Sequence, residues 1–125
     1  MVTLDSSRAV LVHRVVDFDS WLAAHSVTDV EFIAAIYNKR TGNQTVSFDA
    51  LLDVALCHGW IDVMTKRIND ETYAIRFVPR RDGSTWSPTN RDRARRLVRD
   101  GRMRPSGAAR LPPDLDIEVE TSPGD

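Results

Sequence analysis

The sequence predicts an α+β fold, a small and mostly antiparallel sheet with helices packed on it. Three observations predict it: elements in the order β-α-β-α-β-β-α, a hairpin signal at Asn69-Asp70-Glu71, and two serines, Ser47 and Ser87, placed to cap helices. A chain of 125 residues is one domain and can bury a single core. We therefore predict one domain over residues 1–110, followed by an acidic and disordered tail over 111–125.

The first half of the chain contains two strand patterns around a short helix. Residues 9–16 (AVLVHRVV) are apolar and β-branched, which is typical of a strand. Asp17 or Asp19 is placed to cap a helix over 20–25. Residues 29–38 (DVEFIAAIYN) are mostly apolar at both odd and even positions, so we expect an interior strand that is covered on both sides.

The middle of the chain predicts a capped helix that runs into a hairpin. Ser47 is expected to cap a helix over 48–58, and Gly59 is expected to end it in the left-handed conformation. Trp60 then folds back onto the last helical turn. Strands over 61–68 and 72–78 complete the hairpin.

The second serine marks the last predicted helix. Ser87-Pro88 is typical of a helix start, and the helix is expected to run to about Asp100 and to end at Gly101. Within it, Asp92 is placed to pair with Arg96 four residues later.

The composition favours a protein of the reducing cytoplasm. The single cysteine excludes an internal disulfide, and no apolar run is long enough to predict a membrane-spanning helix. The three histidines are scattered and no CxxC pair is present, so we predict no metal site and no cofactor. No catalytic motif is recognisable either, and Cys57 is expected to be an inert buried thiol.

Arginines are concentrated in one part of the chain. Residues 76–110 contain eleven arginines against three aspartates, and the acidic segment 111–125 follows. One hypothesis is nonspecific binding of nucleic acid or another polyanion by the helical stretch 91–104. The alternative is a solvated helix face, partly neutralised by the acidic segment. The residues that would bind the polyanion are Arg80, Arg81, Arg91, Arg95 and Arg99.

Four spaced motifs resemble the YdeI/OmpD-associated family, also named bacteriocin-protection proteins. They are ALCHGWID (55–62), YAIRFVPR (73–80), STWSPTN (84–90) and GRM (101–103). The resemblance implies a non-enzymatic binding or interaction protein linked to stress or antimicrobial-peptide tolerance. Members usually have an aromatic residue where His58 stands and continue into a C-terminal helical segment. We therefore expect a shortened member.

A mixed set of aromatic and charged residues surrounds the hairpin and predicts a pocket for a polar or anionic ligand. Two tryptophans that flank charged side chains could enclose such a ligand, either a small molecule or part of a protein. The alternative is an ion pair of Asp62 with Arg76 or Arg80 beneath core tryptophans, and a third hypothesis is an enzyme of unknown reaction. The candidate ligand-binding residues are Trp60, Asp62, Lys66, Arg76, Trp86 and Asn90.

Overall fold

A four-stranded mixed sheet with helices forms the α+β fold that the sequence predicts. The structure is a computed structural model that describes residues 4–115. The strands follow the order β1-β2-β4-β3, with β1 parallel to β2 and the other two pairings antiparallel. The strands are β1 (Val10–Leu11), β2 (Phe32–Tyr37), β3 (Trp60–Arg67) and β4 (Thr72–Pro79). The helices are α1 (Val15–His25), α2 (Phe48–Cys57), α3 (Pro88–Arg99) and the short α4 (Pro105–Ala108).

The start of the domain differs from the prediction. Strand β1 has two residues, and α1 begins at Val15 after Arg14, which makes no side-chain cap. The predicted cap at Asp17 or Asp19 is therefore wrong. Helix α1 instead begins early enough to place Phe18 and Leu22 in the core.

Strand β2 is the interior strand that the sequence predicts. It lies between β1 and β4, and its residues from Phe32 to Ile36 are buried. Phe32 packs in the main core with α1 and α2, whereas Ile33 packs with Leu4 on the other face. Both faces are thus covered, as expected from apolar side chains at alternate positions.

The capping signals at Ser47, Gly59 and Ser87 are confirmed. The hydroxyl groups of Ser47 and Ser87 accept hydrogen bonds from the backbone N–H groups of Ala50 and Asn90, both at 3.1 Å. Gly59 follows α2 with a φ of +82°. These local features fix where α2 and α3 begin and how the chain enters β3.

A register shift in the hairpin changes which side chains share a face. Asp62 lies opposite Phe77, but Met64 lies opposite Arg76, so the ladder contains an irregularity between Asp62 and Met64. Facing residues of an antiparallel pair project to the same side. The extra residue reverses the alternation, as a bulge does. Asp62 therefore lies on the opposite side of β3 from Met64 and Lys66, although strict alternation would place all three on one side.

The end of the described chain packs against α2. The backbone N–H of Arg104 donates to the carbonyl of Cys57 at 3.0 Å. Residues 111–115 form a bend and a turn, and the rest of the predicted acidic tail lies outside the described residues. No helix within 4–115 has the length and apolar content needed to cross a membrane.

Candidate functional site

The two tryptophans of the predicted pocket belong to separate clusters. Trp60 is 1% exposed, and its indole N–H donates to the carbonyl of Ser26 at 3.1 Å. Its ring packs edge-on against Trp21, with 5.7 Å between the centroids. Trp86 packs instead with the cluster around Leu97. The prediction that the two tryptophans enclose one pocket is therefore wrong, because the turn at Gly59 directs Trp60 into the main core.

The other candidate ligand residues are also distributed differently from the prediction. Arg76 donates from Nε to Glu31 at 2.6 Å, so the predicted Asp62–Arg76 ion pair is not formed. Lys66 is exposed on β3 opposite Ala74. Asn90 lies in the first turn of α3, where its backbone completes the cap of that helix. Of the six predicted residues, Asp62 and Arg76 line the same depression.

That depression, which we name the Arg80 groove, is the candidate functional site. Its volume is about 930 Å³, and it lies between the β3–β4 hairpin and the chain that follows β4. Both candidate sets predicted from the sequence contribute to it, because Arg80 and Arg81 came from the polyanion-binding set. Its charged lining consists of Asp62, Arg76, Arg80, Arg81, Asp82 and Arg110.

Arg80 is held in one position by three kinds of contact. Its Nη2 donates to the hydroxyl of Ser84 and to the carbonyl of Thr85, both at 3.0 Å. The indole of Trp86 covers the guanidinium, with Cζ 3.8 Å from the ring centroid, which is a favourable cation–π distance. Its backbone N–H donates to the carbonyl of Gly59 at 2.8 Å. The guanidinium is therefore fixed by contacts within the protein.

The charge of Arg80 is buried and has no direct counter-ion among the residues that the structure describes. Arg80 is 6% exposed, and no carboxylate forms an ion pair with it among residues 4–115. Its Nε has no hydrogen-bond partner within the same range. Burial lowers the pKa of Arg80 from its usual value, and the more distant charge of Asp62 opposes that effect. A buried cation without a paired anion is rare in proteins, because removing a charge from water is costly.

Asp62 is a partly buried carboxyl that lines the same groove as Arg80. Burial raises the pKa of this carboxyl above its usual value, while a hydrogen bond from its own backbone and the charges of Arg93 and Arg80 oppose the shift. Its carboxylate forms no ion pair with either arginine in the described part of the chain. The groove thus contains one buried cation and one partly buried anion that do not neutralise each other directly.

The arginines of α3 are largely paired with aspartates. Asp53, whose side chain is 13% exposed, accepts from Arg93 at 2.7 Å and from Arg96 at 2.8 Å. Arg102 lies 3.8 Å from the other carboxylate oxygen. The predicted Asp92–Arg96 pair is therefore wrong, and Asp92 pairs with Arg95 at 2.6 Å. Of the other α3 arginines in the predicted polyanion-binding set, Arg91 lies 3.4 Å from Asp114 and Arg99 is exposed.

A second buried polar contact lies beside Cys57. Nε2 of His58 lies 2.7 Å from the carboxylate of Asp19, and that carboxylate also lies 3.6 Å from Arg104. Burial raises the pKa of the Cys57 thiol above its usual value, so the thiolate is disfavoured. The Asp19–His58 pair joins residues 39 positions apart, and no local signal in the sequence indicates it.

Comparisons with known proteins give a family but no activity. No curated protein and no solved structure matches the chain. The resemblance to YdeI/OmpD-associated proteins therefore stays a prediction. The model of a domain of unknown function, DUF8412, matches residues 10–110, a range that contains every residue lining the Arg80 groove. The chain is a member of the DUF8412 family.

Proposed function

We propose that this protein is a non-enzymatic binding protein and that the Arg80 groove holds the anionic group of a small ligand. The observation that supports this most directly is the guanidinium of Arg80, which is 6% exposed and lacks an ion-pair partner within residues 4–115. A ligand anion would supply the missing counter-charge. Nη2 of Arg80 already donates to Ser84 and Thr85, so a carboxylate or phosphate oxygen of the ligand would accept a charge-assisted hydrogen bond from Nη1.

The contacts around Arg80 support a preformed site. Ser84, Thr85 and Trp86 hold the guanidinium from the side of the loop. A ligand therefore does not have to order this side chain, and the entropic cost of binding is lower for such a site. The groove is also open enough to admit a molecule larger than an inorganic ion.

The cellular role is a further part of the proposal. The motifs at 55–62, 73–80, 84–90 and 101–103 support a link to stress or antimicrobial-peptide tolerance, by their resemblance to YdeI/OmpD-associated proteins. The single cysteine supports a cytoplasmic location. The sequence alone supports this role and this location, whereas the geometry of Arg80 supports ligand binding.

Titration with acetate, phosphate and sulfate at constant ionic strength tests the binding proposal. Trp86 stacks on Arg80, so we expect anion binding to change tryptophan fluorescence, and calorimetry gives an independent affinity. Arg80→Lys retains the charge but loses the planar fork, and we expect it to weaken binding of the best anion by about tenfold.

Arg99→Lys is the matched control, because Arg99 is exposed on α3 and lies outside the Arg80 groove. This variant should bind as tightly as the unmodified protein. The proposal fails if no anion binds, or if both variants lose affinity equally. Circular dichroism of each variant establishes that the fold is intact.

A further inference from the structure

The geometry points to a more specific ligand class, an aliphatic monocarboxylate, meaning one carboxylate attached to a hydrocarbon chain. This inference rests on the proposed function, since it names the ligand of the same groove. Two independent properties of the groove lining support a monocarboxylate ligand. One is the net charge that remains after internal pairing, and the other is the apolar surface beside the arginines.

The charge balance of the groove favours a single negative charge. Arg76 lies 2.6 Å from Glu31, whose carboxylate also lies 2.9 Å from Arg8 outside the groove, and Arg110 lies 2.7 Å from Asp82. Three charged residues of the lining, Arg80, Arg81 and Asp62, form no ion pair within residues 4–115, and their charges sum to one positive charge. A carboxylate matches that sum. A phosphate monoester carries nearly two negative charges at neutral pH and would place the second charge beside Asp62.

The apolar lining favours a hydrocarbon chain attached to the carboxylate. Val30 and Val63 are 75% and 48% exposed, and both line the Arg80 groove together with Ile61 and Val78. Small-molecule sites generally combine such apolar walls with a few polar groups that set orientation. A ligand chain covering these valines would remove apolar surface from water.

The positions of the two kinds of residue indicate how such a ligand would lie. Arg80 and Arg81 follow the last residue of β4, whereas Val63 and Val78 lie within the hairpin strands. The carboxylate therefore belongs at the end of β4, and the chain extends along the hairpin. Asp62 lies on the same groove and disfavours a ligand that carries a second carboxylate.

A chain-length series tests the inference, with acetate, butanoate, hexanoate and octanoate titrated at constant ionic strength and below their micelle-forming concentrations. We expect the affinity to rise about threefold for each added methylene group until the apolar wall is covered. Acetate should also bind more tightly than inorganic phosphate at pH 8, where phosphate is doubly charged.

The variant pair Val30→Thr/Val63→Thr makes the wall polar while keeping β-branched shapes. It should reduce the gain in affinity per methylene group. Val27→Thr is the matched control, because Val27 is 83% exposed and lies outside the groove. This control should retain the full chain-length dependence, and Arg80→Lys should weaken every member of the series.

The outcomes separate this inference from the proposed function. Acetate binding that depends on Arg80 but does not increase with chain length overturns the hydrocarbon chain and leaves anion binding in place. The same holds if the double valine variant keeps the full increase. Tighter binding of phosphate than of acetate overturns the monocarboxylate. Absence of binding for every anion overturns both proposals.

Discussion

At the scale of single residues, Asp62 departs from ordinary solvation because its carboxyl is half-buried. Its carboxyl has a raised pKa, caused first by burial, and it forms no ion pair with Arg80 or Arg93 in the part of the chain that the structure describes. The folded protein therefore favours the protonated carboxyl more than the unfolded chain does. The stability that this preference gives is complete below pH 3.8, the ordinary carboxyl value, and is lost as the pH rises above it.

Replacing Asp62 with asparagine should therefore raise the free energy of unfolding at pH 7. The gain should shrink as the pH falls and disappear below pH 3.8, where both states bind the proton. Denaturant unfolding at pH 7, 5 and 3.5 measures it. Glu71→Gln, at an exposed position whose carboxylate forms no ion pair within residues 4–115, is the control and should show no comparable change. A gain for Asp62→Asn that is the same at all three pH values would contradict this explanation.

At the scale of elements, the turn between α2 and β3 depends on glycine. Gly59 has a φ of +82°, and an added Cβ would lie 2.7 Å from the carbonyl oxygen of Ser106. Gly42 has a similar φ of +72° but has open space around it. The two positions therefore share the backbone requirement and differ in packing.

Gly59→Ala should cost more stability than Gly42→Ala for that reason. A non-glycine residue in the left-handed region costs about 1–2 kcal/mol, which is the loss expected at Gly42. The contact with Ser106 should bring the loss at Gly59 to roughly 3 kcal/mol or more. Thermal or denaturant unfolding measures both. Equal losses would show that α4 adjusts its position freely.

Elements whose signals are local were predictable from the sequence, whereas long-range contacts were not. Ser47, Gly59 and Ser87 act through atoms within a few residues, so the starts of α2 and α3 and the end of α2 were predicted. The partner of Arg76 is Glu31, 45 residues away, and the shift after Asp62 depends on how β3 fits β4. Neither has a local signal, so the predicted site was only partly right.

At the scale of the whole molecule, the arginines of the second half are balanced by acidic residues from elsewhere in the fold. Asp53 of α2 lies within 3.8 Å of three arginines that follow it in sequence, Arg93, Arg96 and Arg102. The surface around α3 therefore has much less free positive charge than its arginine content indicates. This pairing disfavours the hypothesis of nonspecific polyanion binding.

Asp53→Asn should expose that charge and increase the affinity for polyanions. We expect the variant to elute from heparin at a higher salt concentration than the unmodified protein, because nucleic-acid-like binding scales with the number of free cations. Glu71→Gln changes the net charge equally at an exposed position whose carboxylate forms no ion pair within residues 4–115, and it is the control. Equal shifts for the two variants would mean that net charge alone governs retention.

The contacts of Arg80 determine which part of the site can change in sequence without moving the charge. The backbone of Arg80 is attached to the turn after α2 through Gly59, whereas its guanidinium is held by Ser84, Thr85 and Trp86. Segment 81–83 contributes no hydrogen bond to the guanidinium within residues 4–115, so substitutions that keep its length leave the charge where it is. Relatives could diverge in selectivity through that segment alone, and an engineer could graft new recognition sequences there without rebuilding the domain.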